Sequence, residues 1–250
     1  MRSRFARELR RLADRIEYQD RSSARRMGIP VGAYTLFSRV ARVADISAVL
    51  DIGANTGQFA RWAAAYFPGK PIHCFEPLAD CVAALNRVAA SHSNIVVHPF
   101  ALGEHNGTHQ MQRNDYSPSS SLLNMTDRHR ELWPHTKTDR PIEIEVRRLD
   151  ELNERFSAPL FLKFDVQGYE LHALRGAQQV LKKAAVLQLE VLFDRLYEGQ
   201  SDFLTLMNFL SGHGFSFVDF ADERRVGPNR DLVYADAVFV ADAYRKKPSK

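Results

Sequence analysis

The sequence has few cysteines and no long apolar run. Cys74 and Cys81 are the two cysteines among 250 residues, and neither has a His or Cys cluster beside it. We therefore expect neither a disulfide framework nor a clustered zinc site, and we expect a cytoplasmic location. Apolar runs stay short of the ~18 residues that a membrane-spanning helix needs. The first residues carry charges throughout, which is not the pattern of a secretory signal.

The sequence also has no excess of basic over acidic residues outside the N-terminal segment. The net charge is +4, yet residues 1–45 hold eleven arginines against five acidic residues. The remaining residues hold twenty-three basic and twenty-five acidic side chains, a net charge of −2. A nucleic-acid binder is expected to be basic over its binding domain, so we expect no nucleic-acid partner.

The N-terminal segment is predicted to be a basic helical extension and linker over residues 1–45. Apolar residues recur at spacings of three or four over 1–18, which predicts an amphipathic helix with an arginine-rich opposite face. This helix either docks on the catalytic domain or makes a peripheral contact with an anionic membrane or a charged substrate. Residues 19–33 read as a linker, and a short helix is expected at 34–44.

Residues 46–250 are predicted to form one α/β domain. Short apolar runs are expected as strands at 48–52, 71–75, 95–100, 160–164, 186–191, 215–220 and 237–240. Helical patterns lie between them at 59–66, 79–90, 170–182 and 203–212. This alternation predicts a mostly parallel sheet with helices on both faces. The last two strands have no room for a helix between them and should pair antiparallel. An insertion at about 104–147 interrupts the pattern, as lids and binding loops do.

The first candidate site is the turn Asp51-Ile-Gly-Ala-Asn-Thr-Gly57, between a strand and a helix. Gly53 permits a sharp turn, Gly57 permits close packing of the helix start, and Asn55 tolerates a left-handed conformation. The nicotinamide fingerprint would need glycine at position 58, which is Gln58. The spacing instead favours the loop that holds S-adenosylmethionine, whose cationic sulfonium would suit Asp51. An ordinary tight turn is the alternative interpretation.

Two further acidic residues follow predicted strands. Glu76 ends the second strand, where a carboxylate can accept hydrogen bonds from ribose hydroxyls. Asp165 ends the fourth strand, at the edge where open α/β sheets bind ligands. Asp165 is a candidate base, substrate ligand or metal ligand. The alternatives are a solvated surface residue for Glu76 and a helix N-cap for Asp165.

Together these segments resemble the FkbM family of methyltransferases. The motifs VLDIGANTGQF, CFEP, LKFDVQGYELHALRGA and LQLEV occur in that order. The resemblance implies a class I methyltransferase: a seven-stranded Rossmann-like sheet whose last strand is antiparallel, with S-adenosylmethionine as cofactor and mostly hydroxyl oxygens as acceptors.

The resemblance also implies roles for individual residues. Glu76 would bind the ribose, Ala101 and Leu102 would border the adenine, and Asp165 would lie at the site of methyl transfer. Four residues of the first motif would line the methionine end of the cofactor: Asp51, Gly53, Asn55 and Gly57.

One position departs from the family pattern. The family usually reads D-V-E-G after the fourth strand, and this chain has Gln167 in place of the glutamate. An amide keeps hydrogen bonding but loses the charge. The departure leaves open whether a divalent metal takes part, with Glu170 and Glu190 as other acidic candidates.

The catalytic base is expected to be Asp165, with His129, His98 and His135 as further candidates. Residues 114–141 are expected to shape the acceptor pocket, because serines, an amide and Trp133 suit a sugar. A sugar hydroxyl of a glycolipid or polysaccharide is the preferred acceptor. A polyketide or other small metabolite is the alternative, and a non-catalytic nucleotide-binding module is the alternative of another class.

Overall fold

The computed structural model describes residues 20–136 and 138–245. Its centre is a seven-stranded sheet in the order β3-β2-β1-β7-β8-β10-β9, in which β10 alone runs antiparallel to the other strands. The predicted α/β class and the antiparallel last strand are confirmed. The strands of this sheet are Ala48–Ile52 (β1), Ile72–Phe75 (β2), Ile95–His98 (β3), Leu160–Phe164 (β7), Ala184–Leu192 (β8), Phe215–Val226 (β9) and Asp231–Ala241 (β10).

Helices cover both faces of this sheet, and one further helix lies in the insertion. The helices are Val31–Val43 (α1), Gln58–Tyr66 (α2), Ala79–Ala89 (α3), Asp127–Leu132 (α4), Glu170–Arg175 (α5), Gln178–Leu181 (α6) and Phe203–Gly212 (α7). The expected linker is wrong in part, because residues 20–27 are helical and α1 begins at Val31, directly after Pro30. A proline suits this position because its fixed φ is compatible with a helix start. The helix expected at 1–18 lies outside the described residues.

The sheet separates two apolar cores. Val49 and Phe161 face the core beneath α1 and α2, while Leu50 and Leu162 face the core beneath α5 and α7. Both β1 and β7 are buried along their whole length. Strands buried on both faces are near-continuous apolar runs, which is why these two were recognisable in the sequence.

The predicted helix at 170–182 is instead two short helices, α5 and α6, separated at Gly176. A Cβ on Gly176 would lie 1.9 Å from the carbonyl oxygen of Gly103, so the two backbones are in contact there. This approach ties the helix pair to the start of the insertion. Periodicity along one segment cannot reveal a contact with a residue so distant in sequence.

The insertion forms a second sheet of three strands in the order β4-β6-β5. They are Ala101–Leu102 (β4), Gly107–Asn114 (β5) and Asp139–Arg147 (β6). The long connection between β5 and β6 includes α4. No helix within 20–136 or 138–245 is long and apolar enough to cross a membrane.

Candidate active site

A cavity of about 890 Å³ opens at the carboxyl ends of β1 and β7. The strand order reverses between these two strands, which is where open α/β sheets bind ligands. The insertion, the far end of the β9–β10 hairpin and the start of α1 complete its walls. Residues on both sides of the boundary expected at residue 45 line the cavity, since Pro30, Ala33 and Leu36 are among the lining residues.

The turn after β1 is shaped by contact with β7. Gly53 has φ 80°, and a Cβ there would lie 1.9 Å from the carbonyl oxygen of Asp165. Asn55 adopts the predicted left-handed conformation with φ 46°. The N–H of Asp165 donates to the carbonyl of Ile52 at 3.0 Å. Both Gly53 and Asn55 line the cavity, as expected.

Gly57, expected at the methionine end of the cofactor, acts in packing and is not among the residues that line the cavity. Its φ is 86°, and a Cβ would lie 2.5 Å from the Leu85 side chain of α3. The glycine therefore lets α2 and α3 come together. The packing role deduced from the sequence is confirmed.

Glu76 is anchored in the cavity wall directly after β2. Its Oε2 accepts the backbone N–H of Asn55 at 2.9 Å and its Oε1 accepts that of Leu78 at 2.9 Å. Burial raises the pKa of Glu76 to about 7. Each oxygen retains a second lone pair, so the carboxylate can accept hydroxyl hydrogen bonds from the cavity. This is the chemistry that a ribose requires.

An apolar slot lies beside Glu76. Ala101 and Leu102 line the cavity where the sequence placed them, at the start of the insertion. Phe75 and Leu78 line it from the side of β2. An adenine ring attached to a ribose fits this site, with the ribose at Glu76 and the ring in the apolar slot.

Asp51, expected at the methionine end of the cofactor, is not among the residues that line the cavity. It is fully buried, and its Oδ1 accepts a hydrogen bond from Nζ of Lys163 at 3.2 Å. Lys163 lines the cavity and also pairs with Asp165 at 3.3 Å. Burial alone would lower the pKa of Lys163, but Asp51 and Asp165 raise it above its usual range. Lys163 therefore carries its positive charge at physiological pH.

Lys163 was missed in the sequence analysis. The available signal was a single charged residue inside the otherwise apolar strand 160–164. A buried lysine is rare unless it is paired, so it implies a carboxylate partner on an adjacent strand. Lys163 and Asp51 are direct neighbours in the β1–β7 register.

Asp165 presents its carboxylate to the cavity. Its side chain is 36% exposed, and it accepts from Gln167 Nε2 at 2.9 Å as well as from Lys163. The alternative role as a helix N-cap is wrong. The residue that precedes α5 is Tyr169, and no side chain caps that helix.

Gln167 links Asp165 to two other groups. Its Nε2 donates to Glu190 Oε2 at 2.8 Å, and its Oε1 accepts from the hydroxyl of Tyr197 at 2.8 Å. The tyrosine follows β8 and was not identified from the sequence. Burial raises the pKa of Tyr197 well above its usual value, so the phenol keeps its proton.

His129 lines the cavity from α4. The hydroxyl of Thr136 donates to the carbonyl of Trp133 at 2.7 Å, so Nδ1–H of His129 is the donor to Thr136 at 3.2 Å. This pattern leaves a lone pair on Nε2, which lies 3.4 Å from the Tyr197 hydroxyl oxygen, whose proton is donated to Gln167 Oε1. Burial lowers the pKa of His129 to about 4, so the ring is neutral at physiological pH.

The other two candidate histidines differ in position. His135 lines the cavity. His98 does not, and its Nε2 lies 3.1 Å from Nδ1 of His73, in a pair between β2 and β3. His98 is therefore excluded as a base.

The insertion is held over the cavity by Asn114, which is fully buried. Its Nδ2 donates to the Thr136 carbonyl at 2.7 Å, its Oδ1 accepts from the Tyr116 N–H at 2.9 Å, and its N–H donates to Ser120 Oγ at 2.9 Å. One side chain therefore connects both ends of the loop. Several polar and aromatic residues of this loop line the cavity: Tyr116, Ser117, Ser119, Ser120, Trp133 and His135.

Comparison with known proteins decides the family. The methyltransferase FkbM domain matches residues 51–217. The chain belongs to the FkbM methyltransferase family. It is similar to the 2-O-methyltransferase NoeI of Sinorhizobium fredii, with 26% identity over 65% of this chain and 70% of the relative. It is also similar to Methyltransferase 1 of Beauveria bassiana, with 26% identity over 71% of this chain and 75% of the relative.

Solved structures with similar folds include an rRNA methylase from Streptococcus thermophilus. The TM-score is 0.47 at 10% identity, and the match covers 83% of this chain and 95% of that one. A putative RNA methyltransferase from Pyrococcus horikoshii matches with a TM-score of 0.44 at 14% identity, over 84% of this chain and 82% of that one.

The methyltransferase uses S-adenosylmethionine, and its residues fit that molecule. Glu76 offers carboxylate lone pairs for the ribose, Ala101 and Leu102 offer an apolar slot for the adenine, and the backbone around Gly53 and Asn55 borders the space between. The cavity continues from Glu76 to Asp165, so one molecule can contact both. When bound, S-adenosylmethionine supplies a methyl group activated by its sulfonium.

A divalent metal receives no support from the side chains. Among residues 20–136 and 138–245, no three or more His, Cys, Asp or Glu side chains come together as a metal site. Gln167 stands between Asp165 and Glu190, the two acidic residues that a metal at this edge would use.

Proposed function

We propose that this FkbM methyltransferase methylates a hydroxyl oxygen of a sugar, in a glycolipid or polysaccharide. The observation that carries the proposal is the oriented carboxylate of Asp165 in a cavity whose outer walls are hydroxyl-rich and aromatic. A similarity supports it, because the relative NoeI is named a 2-O-methyltransferase.

Asp165 is the residue suited to take the proton of the acceptor hydroxyl. An alcohol is a poor nucleophile, and a base within hydrogen-bond reach contributes typically 10²–10⁴-fold to such a reaction. Lys163 and Gln167 hold the Asp165 carboxylate from two sides, at 3.3 and 2.9 Å. The carboxylate therefore faces the cavity in a fixed orientation, and positioning supplies much of the rate of a displacement reaction.

His129 is the second candidate base. Its Nε2 lone pair faces the cavity wall at Tyr197, and the ring is neutral because burial lowers its pKa to about 4. The His129 residue is only 3% exposed, whereas the Asp165 side chain is 36% exposed and its carboxylate is open to the cavity. We therefore assign proton transfer to Asp165 and hydrogen bonding of the acceptor to His129.

The outer cavity suits a sugar ring. Trp133 offers an aromatic face for the CH groups of a ring, and Ser117 offers a hydroxyl to those of the acceptor. Arg224 and Asp222 of β9 also line the cavity and provide charged hydrogen-bonding groups. This lining favours a polyhydroxylated acceptor over an apolar one.

The test is formation of S-adenosylhomocysteine with a panel of methyl glycosides, polysaccharides and purified glycolipids, followed by mass spectrometry of the products. We expect one sugar to gain the mass of a methylene unit. Asp165→Asn should lower the rate by about 10²-fold or more while binding of S-adenosylmethionine, measured by calorimetry, persists. The matched control is Asp231→Asn, an exposed change on β10. Methylation confined to non-sugar metabolites in a parallel panel would contradict the proposal.

A further inference from the structure

Gln167 has a strained backbone and a fully used side chain. Its φ is 55°, in the left-handed region that a residue with a side chain adopts at a cost. The amide has two N–H hydrogens and one carbonyl oxygen. The hydrogens point to Asp165 and Glu190 at 2.9 and 2.8 Å, and the oxygen receives the Tyr197 hydroxyl at 2.8 Å. The surroundings therefore hold this conformation in place.

The orientation of this amide is fixed by its partners. Turning the carboxamide over would place Oε1 against two carboxyl groups and would direct N–H at a phenol that is donating. The backbone carbonyl of Gln167 also accepts from Ser121 Oγ at 2.7 Å. One residue thus joins the end of β7, the strand β8, the segment after β8 and the insertion.

We propose that the Gln167 carboxamide is a neutral clamp, which holds Asp165 and Glu190 in the arrangement that a divalent cation would otherwise impose. Two carboxyl groups that share one neighbour need either a cation or hydrogen-bond donors between them. Gln167 supplies the donors, and N–H groups cannot ligate a metal. Gln167 is accordingly a positioning residue for Asp165. This inference concerns the metal independence of the site and does not depend on the acceptor.

The charges around the clamp agree with this role. Burial, with Asp165 and Glu170 next in effect, raises the pKa of Glu190 well above its usual value. Its Oε2 accepts a hydrogen bond from Gln167. Lys163 pairs with Asp165 from the other side. The Asp165 carboxylate therefore has side-chain hydrogen-bond donors on two sides, from Lys163 and from Gln167.

Gln167→Glu tests the clamp because it replaces two donors with an acidic oxygen of the same size. The new carboxylate would face Asp165 and Glu190, and three carboxyl groups at such distances repel one another once ionised. In metal-free buffer we expect the melting temperature of the variant to fall by at least about 5 °C between roughly pH 5 and pH 8, relative to the wild type. Manganese or magnesium chloride should recover part of that loss.

Two variants separate charge from packing. Gln167→Met removes all three hydrogen bonds without adding charge, so its loss of stability should be nearly independent of pH and of metal. Gln178→Glu makes the same chemical change at an exposed position on α6 and should behave as the wild type. An outcome in which Gln167→Glu is unfolded at the higher pH while Gln167→Met is folded there supports the clamp. In that case the response of Gln167→Glu to metal is measured at the lower pH.

The wild type provides the decisive measurement. We expect calorimetric titration with manganese and magnesium chloride to show no binding, and chelation to leave S-adenosylhomocysteine binding unchanged. Metal binding by the wild type that is lost in Gln167→Met would overturn the inference. So would a Gln167→Glu protein that matches Gln167→Met in metal-free buffer at every pH, or one whose stability no metal restores.

Discussion

At the residue scale, one carboxylate recognises the cofactor through atoms already oriented by the backbone. Both oxygens of Glu76 are held by N–H groups from Asn55 and Leu78, so little conformational freedom remains to be lost on binding. Neutral and charged hydrogen bonds differ in strength by roughly a factor of two. The identity of this single side chain should therefore affect cofactor affinity directly.

We expect Glu76→Gln to weaken binding of S-adenosylhomocysteine by about tenfold or more, which corresponds to the loss of one or two charge-assisted hydrogen bonds. Calorimetry measures the affinity, and Glu143→Gln, exposed on β6, is the control. Unchanged affinity in Glu76→Gln would remove the carboxylate from the cofactor site.

Gly53 offers a second test at this scale, with a matched control elsewhere in the chain. Gly53 and Gly69 have similar positive φ values of 80° and 76°, but a Cβ on Gly69 meets nothing within 4 Å. Gly69→Ala should cost about 1 kcal/mol of unfolding free energy, the usual penalty for the left-handed region. Gly53→Ala should cost more than about 3 kcal/mol, because the Asp165 carbonyl must also move. Urea denaturation compares the two, and equal losses would show that β1 and β7 can separate freely there.

At the scale of elements, one buried side chain connects the two ends of the loop between β5 and β6. Asn114 makes three hydrogen bonds that connect the ends of the loop between β5 and β6, and it is completely buried. The loop lies over the outer cavity and adds little to the two main cores. Local opening of such a segment can occur without global unfolding.

Asn114→Ala should therefore raise hydrogen exchange across 115–136 much more than exchange in the central sheet. Leaving buried backbone groups without partners costs about 1–3 kcal/mol, which is enough to open a loop of this kind. Mass spectrometry of peptides after exchange measures the effect, and Asn86→Ala on the exposed side of α3 is the control. Uniform acceleration across the whole chain would instead assign Asn114 to global stability.

At the scale of the whole molecule, buried ionisable groups make opposing contributions to the pH dependence of stability. Burial lowers the pKa of His98 to about 4, so the unfolded chain binds more protons there and stability falls as pH drops from about 6.5. Burial raises the pKa of Glu170 to about 7, so the folded chain binds more protons there and stability falls as pH rises from about 4.5. The two effects partly cancel, which should flatten the stability curve over this window.

Glu170→Gln isolates one of these contributions. The Oε1 atom of Glu170 accepts the N–H groups of Val166 and Gly168, and an amide oxygen can accept the same two bonds. Relative to the wild type, the variant should gain stability as pH rises through about 4.5 to 7, by an amount on the order of 3 kcal/mol. Denaturation across this range measures the difference, and a difference constant with pH would mean that Glu170 ionises as readily as in the unfolded chain.

Much of the architecture was predictable because strands buried on both faces leave a strong local signal. The runs at 48–52 and 160–164 coincide with β1 and β7, and their carboxyl ends located Gly53 and Asp165 in the cavity. The run at 71–75 likewise located Glu76, directly after β2. These predictions needed only one segment at a time together with the rule that ligands bind at strand ends.

The remainder depends on contacts between distant segments. Tyr197 reaches Gln167 from the segment after β8, and Lys163 selects Asp51 as a partner across two strands. Asp51 itself was assigned to the cofactor because its position in the motif says nothing about which face of β1 it occupies. Long-range pairing of this kind leaves no periodic signal in the chain.

The order of the strands has a consequence for synthesis on the ribosome. β1 lies between β2 and β7, but β2 follows it within about twenty residues whereas β7 begins only at Leu160. Until then, the nascent chain carries a largely apolar strand with one unpaired edge, which is a template for aggregation. The cofactor turn is equally unfinished, because its shape depends on the backbone of Asp165. S-adenosylmethionine therefore cannot stabilise the chain until Asp165 has been synthesised. We expect a chaperone to have its greatest effect before that point.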